Sequence, residues 1–161
     1  MKGMFVRGEL SPGLLAGGLQ RPDEMRETLE WENPRVQEGI QEISKQLLRI
    51  KVSAEAVGGK IIVISLPNGF FVSKLMLANY ARMGFTVEQS YLTATVMDEA
   101  VRLAGSKAGV DFFEVTGLFR QESMKRNLFY SFDGHYNSEG QHFFAQCIAP
   151  FITTKLRSMD R

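Results

Sequence analysis

Lys60-Ile61-Ile62-Val63-Ile64-Ser65-Leu66-Pro67 is a short, continuously apolar, β-branched run closed by proline. Such a run is what a central parallel strand looks like when helices cover both of its faces, and it predicts an α/β fold. Upstream, Asn33-Pro34 supplies an N-cap followed by proline at the first helical position. Val36, Ile40, Ile43, Leu47, Ile50 and Ala54 then recur at spacings of three and four until Gly58-Gly59. This pattern predicts one long amphipathic helix that ends in a helix-to-strand turn. Downstream, residues 72–83 read as a helix stopped by Gly84. A second helix runs over 87–104, with Leu92, Val96, Ala100 and Leu103 on one face, and residues 110–115 read as a second strand turned by Thr116-Gly117. The order helix, strand, helix, strand, helix predicts a parallel sheet with right-handed crossovers.

Outside this frame the pattern weakens. Residues 1–33 are rich in glycine and show no sustained period, so they form a poorly defined N-terminal segment before a domain over 34–161. Met4-Phe5-Val6 reads as a short strand and the stretch from Leu10 to Gly18 as a loop. Residues 121–126 read as a polar connection with Lys125-Arg126 at its tip.

At 161 residues, 44% hydrophobic and 23% charged, the chain suits one soluble domain with a sizeable core. A formal net charge of +1, with scattered lysines and arginines, argues against nucleic acid as a partner. No apolar run approaches the roughly 20 residues needed to span a bilayer, and no signal-peptide core opens the chain. No membrane partner is expected, and no compartment is legible. The single cysteine, Cys147, reads as a small apolar-face residue of the last helix. A dyad with an upstream histidine fails because a helical rise of roughly 1.5 Å per residue carries the thiol away from the preceding loop.

The chemistry concentrates in Ser131-Phe132-Asp133-Gly134-His135-Tyr136-Asn137-Ser138-Glu139-Gly140-Gln141-His142. A carboxylate stands two residues before an imidazole, in a loop that leads into a helix. Ser138 with Gln141 reads as the helix start, and Phe144, Cys147, Ile148, Phe151 and Ile152 supply its apolar face. An imidazole works as a general base when its tautomer and orientation are fixed, and a neighbouring carboxylate does both while stabilising the imidazolium. Asp133 and Asn137 are also ordinary turn-formers around Gly134, a reading that needs no chemistry. Four aromatics between Phe129 and Tyr136 either line a pocket or plug the core beneath the last helix. Asn68, in the Pro67-Asn68-Gly69 loop after the first strand, is either an oxyanion donor or a turn residue.

Asp-Gly-His-aromatic-Asn-x-x-Gly-x-His, followed by an amphipathic helix with a late proline, resembles the last block of the SGNH (GDSL-like) hydrolases. It looks most like the branch that includes alginate-acetyltransferase-like proteins. The resemblance covers roughly residues 34–157, the family's second half. It implies a three-layer α/β/α fold with a parallel sheet of flavodoxin-like type, partial or shortened, and an esterase acting on an O-acyl substrate such as an acetylated carbohydrate. On this resemblance His135 is the general base, Asp133 orients it, Asn137 and Ser138 hold the loop, and no metal or organic cofactor is required.

The first half of the family's pattern is missing. No Gly-Asp-Ser-like block and no Gly-x-Asn-Asp follows a strand, and Gly8-Glu9-Leu10-Ser11 is the nearest imitation, one residue too long. The expectation is therefore a piece of a longer hydrolase, a half completed by another chain, or a degenerate relative. Narrow sheet edges and apolar helix faces predict self-association into a homo-oligomer. The alternative function is a non-catalytic α/β binding or assembly module that keeps the Asp-His loop only as a helix cap.

Overall fold

The structure is a computed structural model and describes residues 2–7 and 9–159. It is a mixed α/β protein, 63% helical, with one two-stranded parallel sheet. The chain opens with α1 (Lys2–Val6), a helix where a strand was expected, and α2 (Pro12–Gln20), a helix where a loop was expected. Ser11 caps α2 by accepting from the Leu14 amide, and Pro12 occupies the first turn. The glycines that suggested a loop serve close packing instead. A Cβ on Gly18 would collide with the Met83 carbonyl oxygen, so only glycine lets α2 approach that backbone.

After α3 (Glu24–Glu27), the long amphipathic helix forms as α4 (Pro34–Glu55), with the Asn33 side chain accepting from the Arg35 amide. Then come β1 (Ile62–Ser65) and a 3-10 turn over Gly69–Phe71. Helix α5 (Lys74–Arg82) follows, capped by Ser73 and stopped by Gly84 at φ 101°. The helix expected over 87–104 begins later, because a 3-10 turn at Gln89–Thr93 precedes α6 (Val96–Ala108). Gly109 ends α6 in the left-handed conformation and turns the chain into β2 (Asp111–Glu114). Thr116-Gly117 does not turn the chain; it begins α7 (Thr116–Ser123), which replaces much of the expected polar connection and is anchored by the buried Thr116 and Phe119. The last helix is α8 (Ser138–Met159). No helix among the described residues is long and apolar enough to cross a membrane.

The chain divides into two compact units. One, the strand unit, comprises Glu24–Leu66 and Ala94–Glu114. In it β1 and β2 pair in parallel from Ile62 opposite Asp111 to Ser65 opposite Glu114. Ile40 on α4 packs with Ala100 and Ala104 on α6, flanked by Trp31, Val36, Leu47 and Leu103. The buried Ser65 hydroxyl donates to Asp98 Oδ1 at 2.5 Å, tying the end of β1 to the first turn of α6. The strands are largely half-buried, so the run over residues 60–67 is apolar without being covered on both faces.

The other, the loop unit, comprises Met1–Asp23, Pro67–Thr93 and Val115–Arg161. Its core is aromatic: Phe70, Tyr80, Tyr91, Phe119 and Phe129 are all almost fully buried. Phe70 lies 4.9 Å from Tyr80 between ring centroids, and Tyr136 stacks on Phe119 at 4.9 Å, within the range where aromatic pairs attract beyond simple area burial.

Candidate functional site

Asp133 and His135 sit in a reversal of the chain within the loop unit. Phe129 and Tyr136 form an antiparallel bridge, the Tyr130 amide donates to the His135 carbonyl at 3.0 Å, and the Asn137 amide donates to the Leu128 carbonyl at 3.1 Å. Gly134, at φ 82°, makes the reversal possible. Asn137 then caps α8, because its Oδ1 accepts from the Gly140 amide at 2.9 Å while its amide nitrogen donates to the Asn127 carbonyl at 3.0 Å. Ser138 is therefore the first helical residue and not the cap expected from its spacing to Gln141. Asn137 wins because its side chain serves both the incoming segment at Asn127 and the helix end.

Helix α5 is the platform beneath this loop. The Asn79 side chain donates to the Ser131 carbonyl at 2.7 Å, and the Arg82 guanidinium lies 4.9 Å from the centroid of the Phe132 ring. Between them on α5, the fully buried Tyr80 reaches Gly134, where a Cβ would stand 2.8 Å from the phenol oxygen. The Tyr80 hydroxyl donates to Asn68 Oδ1 at 3.1 Å. Burial pushes the Tyr80 phenol above its ordinary pKa, the Asn68 bond pulls it back, and the Asp133 charge adds to the rise.

The N-terminal segment reaches the same loop. Leu10 pairs in parallel with Phe132, and the Ser11 amide donates to the Phe132 carbonyl at 2.9 Å. The Leu14 side chain lies against Gly134. The nearest imitation of a nucleophile block in the sequence thus stands one residue from Asp133 through a backbone bond; Gly8, its first residue, lies outside the described residues.

His135 Nδ1 and Asp133 Oδ1 are bonded to each other. The Asp133 side chain is 25% exposed and that of His135 84%. Among the described residues nothing bonds His135 Nε2, so the ring offers its second nitrogen to solvent while the first is held by a carboxylate. The Ser11 hydroxyl accepts from the Leu14 amide at 3.3 Å, is half-buried, and makes no hydrogen bond to His135.

Of the four loop aromatics, Phe129 and Phe132 are buried and Tyr136 packs between Phe119 and Phe144, so these three plug the core. Tyr130 is 49% exposed. Burial raises the Tyr136 phenol strongly, and the same cause, followed by the Glu122 charge, raises the Cys147 thiol. Cys147 is half-buried on α8 and disfavoured as a thiolate, which is the opposite of an activated cysteine. Among the described residues no three His, Cys, Asp or Glu side chains gather as metal ligands.

A well-formed apolar groove of about 270 Å³ lies in the strand unit, lined by Val36, Gly39, Ile40, Ile43, Met97 and Ala100, with the Arg35–Glu27 ion pair of 2.7 Å at its rim. Thr28, Glu24 and Glu27 also line it, but no imidazole does, whereas the Asp-His loop pairs an imidazole with a carboxylate.

Sequence reasoning missed Tyr80 and Asn79, whose polar groups were hidden in an amphipathic helix with no motif to mark them. The chain matches no protein-family model, no curated protein and no solved structure.

Proposed function

We propose that the chain carries the acid-base half, and a serine, of an ester hydrolase of SGNH type, built on a three-layer α/β/α arrangement present in part. The observation that supports it is the bond between Asp133 and His135 Nδ1 with Nε2 left open, in a loop that also receives Ser11. In this reading His135 Nε2 takes the Ser11 proton as Oγ bonds to the acyl carbon and the carbonyl π pair moves to oxygen. Collapse of the intermediate expels the alcohol, which receives that proton from His135. Water then repeats the sequence and releases the acid. The substrate class is an O-acyl ester, O-acetylated carbohydrate being the expected case.

A second reading, the non-catalytic module, draws on the Ser11 contacts: its hydroxyl caps α2 and its amide is committed to Phe132. Hydrolysis of p-nitrophenyl acetate by the chain and by its His135→Ala variant separates the two. The hydrolase reading expects turnover that drops by about 10⁴-fold or more in the variant, with the melting temperature unchanged. The module reading expects equal rates, with lowered stability if the histidine supports the cap.

A further inference from the structure

The apolar groove of the strand unit owes its shape to the residue spacing of α4. Arg35, Gly39 and Ile43 follow one another at four-residue intervals and form one ridge of that helix, with Val36 and Ile40 in the ridge beside it. Gly39 is a notch in the first ridge. A Cβ at that position would meet no atom within 4 Å, whereas a Cβ on Gly18 would strike the Met83 carbonyl oxygen and one on Gly105 of α6 would touch Val110. Gly39 therefore serves no close approach of another segment, and its φ is not positive, so no left-handed turn requires it. A glycine inside a helix destabilises it relative to alanine. What the missing side chain leaves is room in the groove.

We propose that this groove is a binding site for a small, uncharged, mainly apolar molecule, seated over Gly39 between α4 and α6. Apolar side chains form its walls: Ile40 and Ala100 are buried, while Ile43 and Met97, each 40% exposed, stand at the mouth. The unbranched, polarisable methionine side chain adapts to ligands of different outline. At about 270 Å³ the groove exceeds the roughly 150 Å³ of apolar space that takes up one benzene, and it lies just below the usual range for ligand pockets. Its walls come from a few side chains of α4, α6 and the α3 turn, whereas a standard protein interface engages roughly 20–30 residues on each side.

The rim selects for an uncharged ligand. The Arg35 guanidinium donates to the Glu27 carboxylate at 2.7 Å, so these two charges cancel at the mouth. An anion would meet Glu24 and Glu27 beside that arginine, and a cation would meet the arginine and lose its hydration against the apolar floor. Thr28 donates its hydroxyl hydrogen to the Met25 carbonyl at 2.7 Å, and its oxygen lone pairs remain able to accept from one ligand N–H or O–H. All of these residues belong to the strand unit, so the site stands apart from the hydrolase reading.

The test uses N-phenylnaphthylamine, an uncharged aromatic probe with a single N–H whose fluorescence rises in apolar surroundings. It is titrated into the full chain and into Gly39→Leu, Gly39→Ala and Ile50→Ser, with melting temperature and molecular mass monitored. The expected result is saturable binding of one probe per chain, weakened about tenfold or more by Gly39→Leu, which fills the notch, and less by Gly39→Ala. Both glycine variants should melt higher, Gly39→Ala by about 2–4 °C, because the helix gains propensity, so lost binding is not lost folding. Ile50 is exposed on the same helix outside the groove, and Ile50→Ser should leave binding unchanged. Binding that is absent or does not saturate overturns the site, as does binding that survives Gly39→Leu. An equal loss in Ile50→Ser overturns it in favour of a general apolar face. A molecular mass that falls in Gly39→Leu, with no probe bound by the unsubstituted chain, overturns it in favour of a side chain from a second copy.

Discussion

Gly134 links backbone conformation to chemistry in a single residue. Its φ of 82° lets the chain reverse between Asp133 and His135, and its missing Cβ makes room for the Tyr80 hydroxyl. Gly134→Ala meets both the left-handed strain, worth about 1–2 kcal/mol, and the contact with the phenol. Chemical denaturation is expected to show a destabilisation of about 2 kcal/mol, and on the proposed hydrolase reading ester hydrolysis should fall with it. Tyr136 carries a different signature. Its phenol is raised by burial and, in smaller part, by Cys147, and donates to the Pro67 carbonyl at 3.1 Å. A raised folded pKa means that the unfolded chain releases the phenolic proton first, so this contribution is complete below a phenol's ordinary pKa of about 10 and is lost as pH rises above it. Melting temperatures measured from pH 8 to 11 should fall at the alkaline end, and less steeply in Tyr136→Phe; equal slopes would contradict the assignment.

At the scale of elements, α8 depends on Asn137. Replacing it by alanine removes the cap from the Gly140 amide and the tie to Asn127, and a loss of about 1 kcal/mol in folding stability is expected. Ser138→Ala should be close to neutral, although the spacing of Ser138 and Gln141 made it the apparent cap. Where capping, proline and periodicity coincide, as in α4, the helix is legible in the sequence itself. α2 is not, because Gly17 and Gly18 carry two meanings in a sequence: a turn, or a place where another backbone must come close. The contact of Gly18 with Met83 decides between them, and Met83 lies far away along the chain. α7 is obscured in a similar way, since its polar face resembles a connection and its few anchors, Thr116 and Phe119 among them, are spread over one helical turn. The Asp133–His135 pair is legible because its geometry is local. Asn68 and Tyr80 are not legible as a pair, because their link is a tertiary hydrogen bond.

For the whole molecule, the two strands of the sheet have only each other as strand neighbours among the described residues, and α4 leaves Ile43, Leu48, Ile50 and Val52 substantially exposed. Apolar exposure of this extent predicts association with a second copy of the chain. Light scattering over a range of protein concentrations should give a mass above 18.1 kDa that rises with concentration; a constant monomer mass would contradict this. Ser11, Asp133 and His135, the residues of the proposed hydrolase reading, all belong to the loop unit.

The most direct measurement is therefore covalent. The chain and its His135→Ala variant would be incubated with an organophosphonate probe for activated serines, and the adduct mapped by mass spectrometry. A single adduct on Ser11, abolished by the histidine substitution, is the predicted result. No adduct, or one formed equally in both proteins, would contradict the assignment of a serine hydrolase centre to this loop.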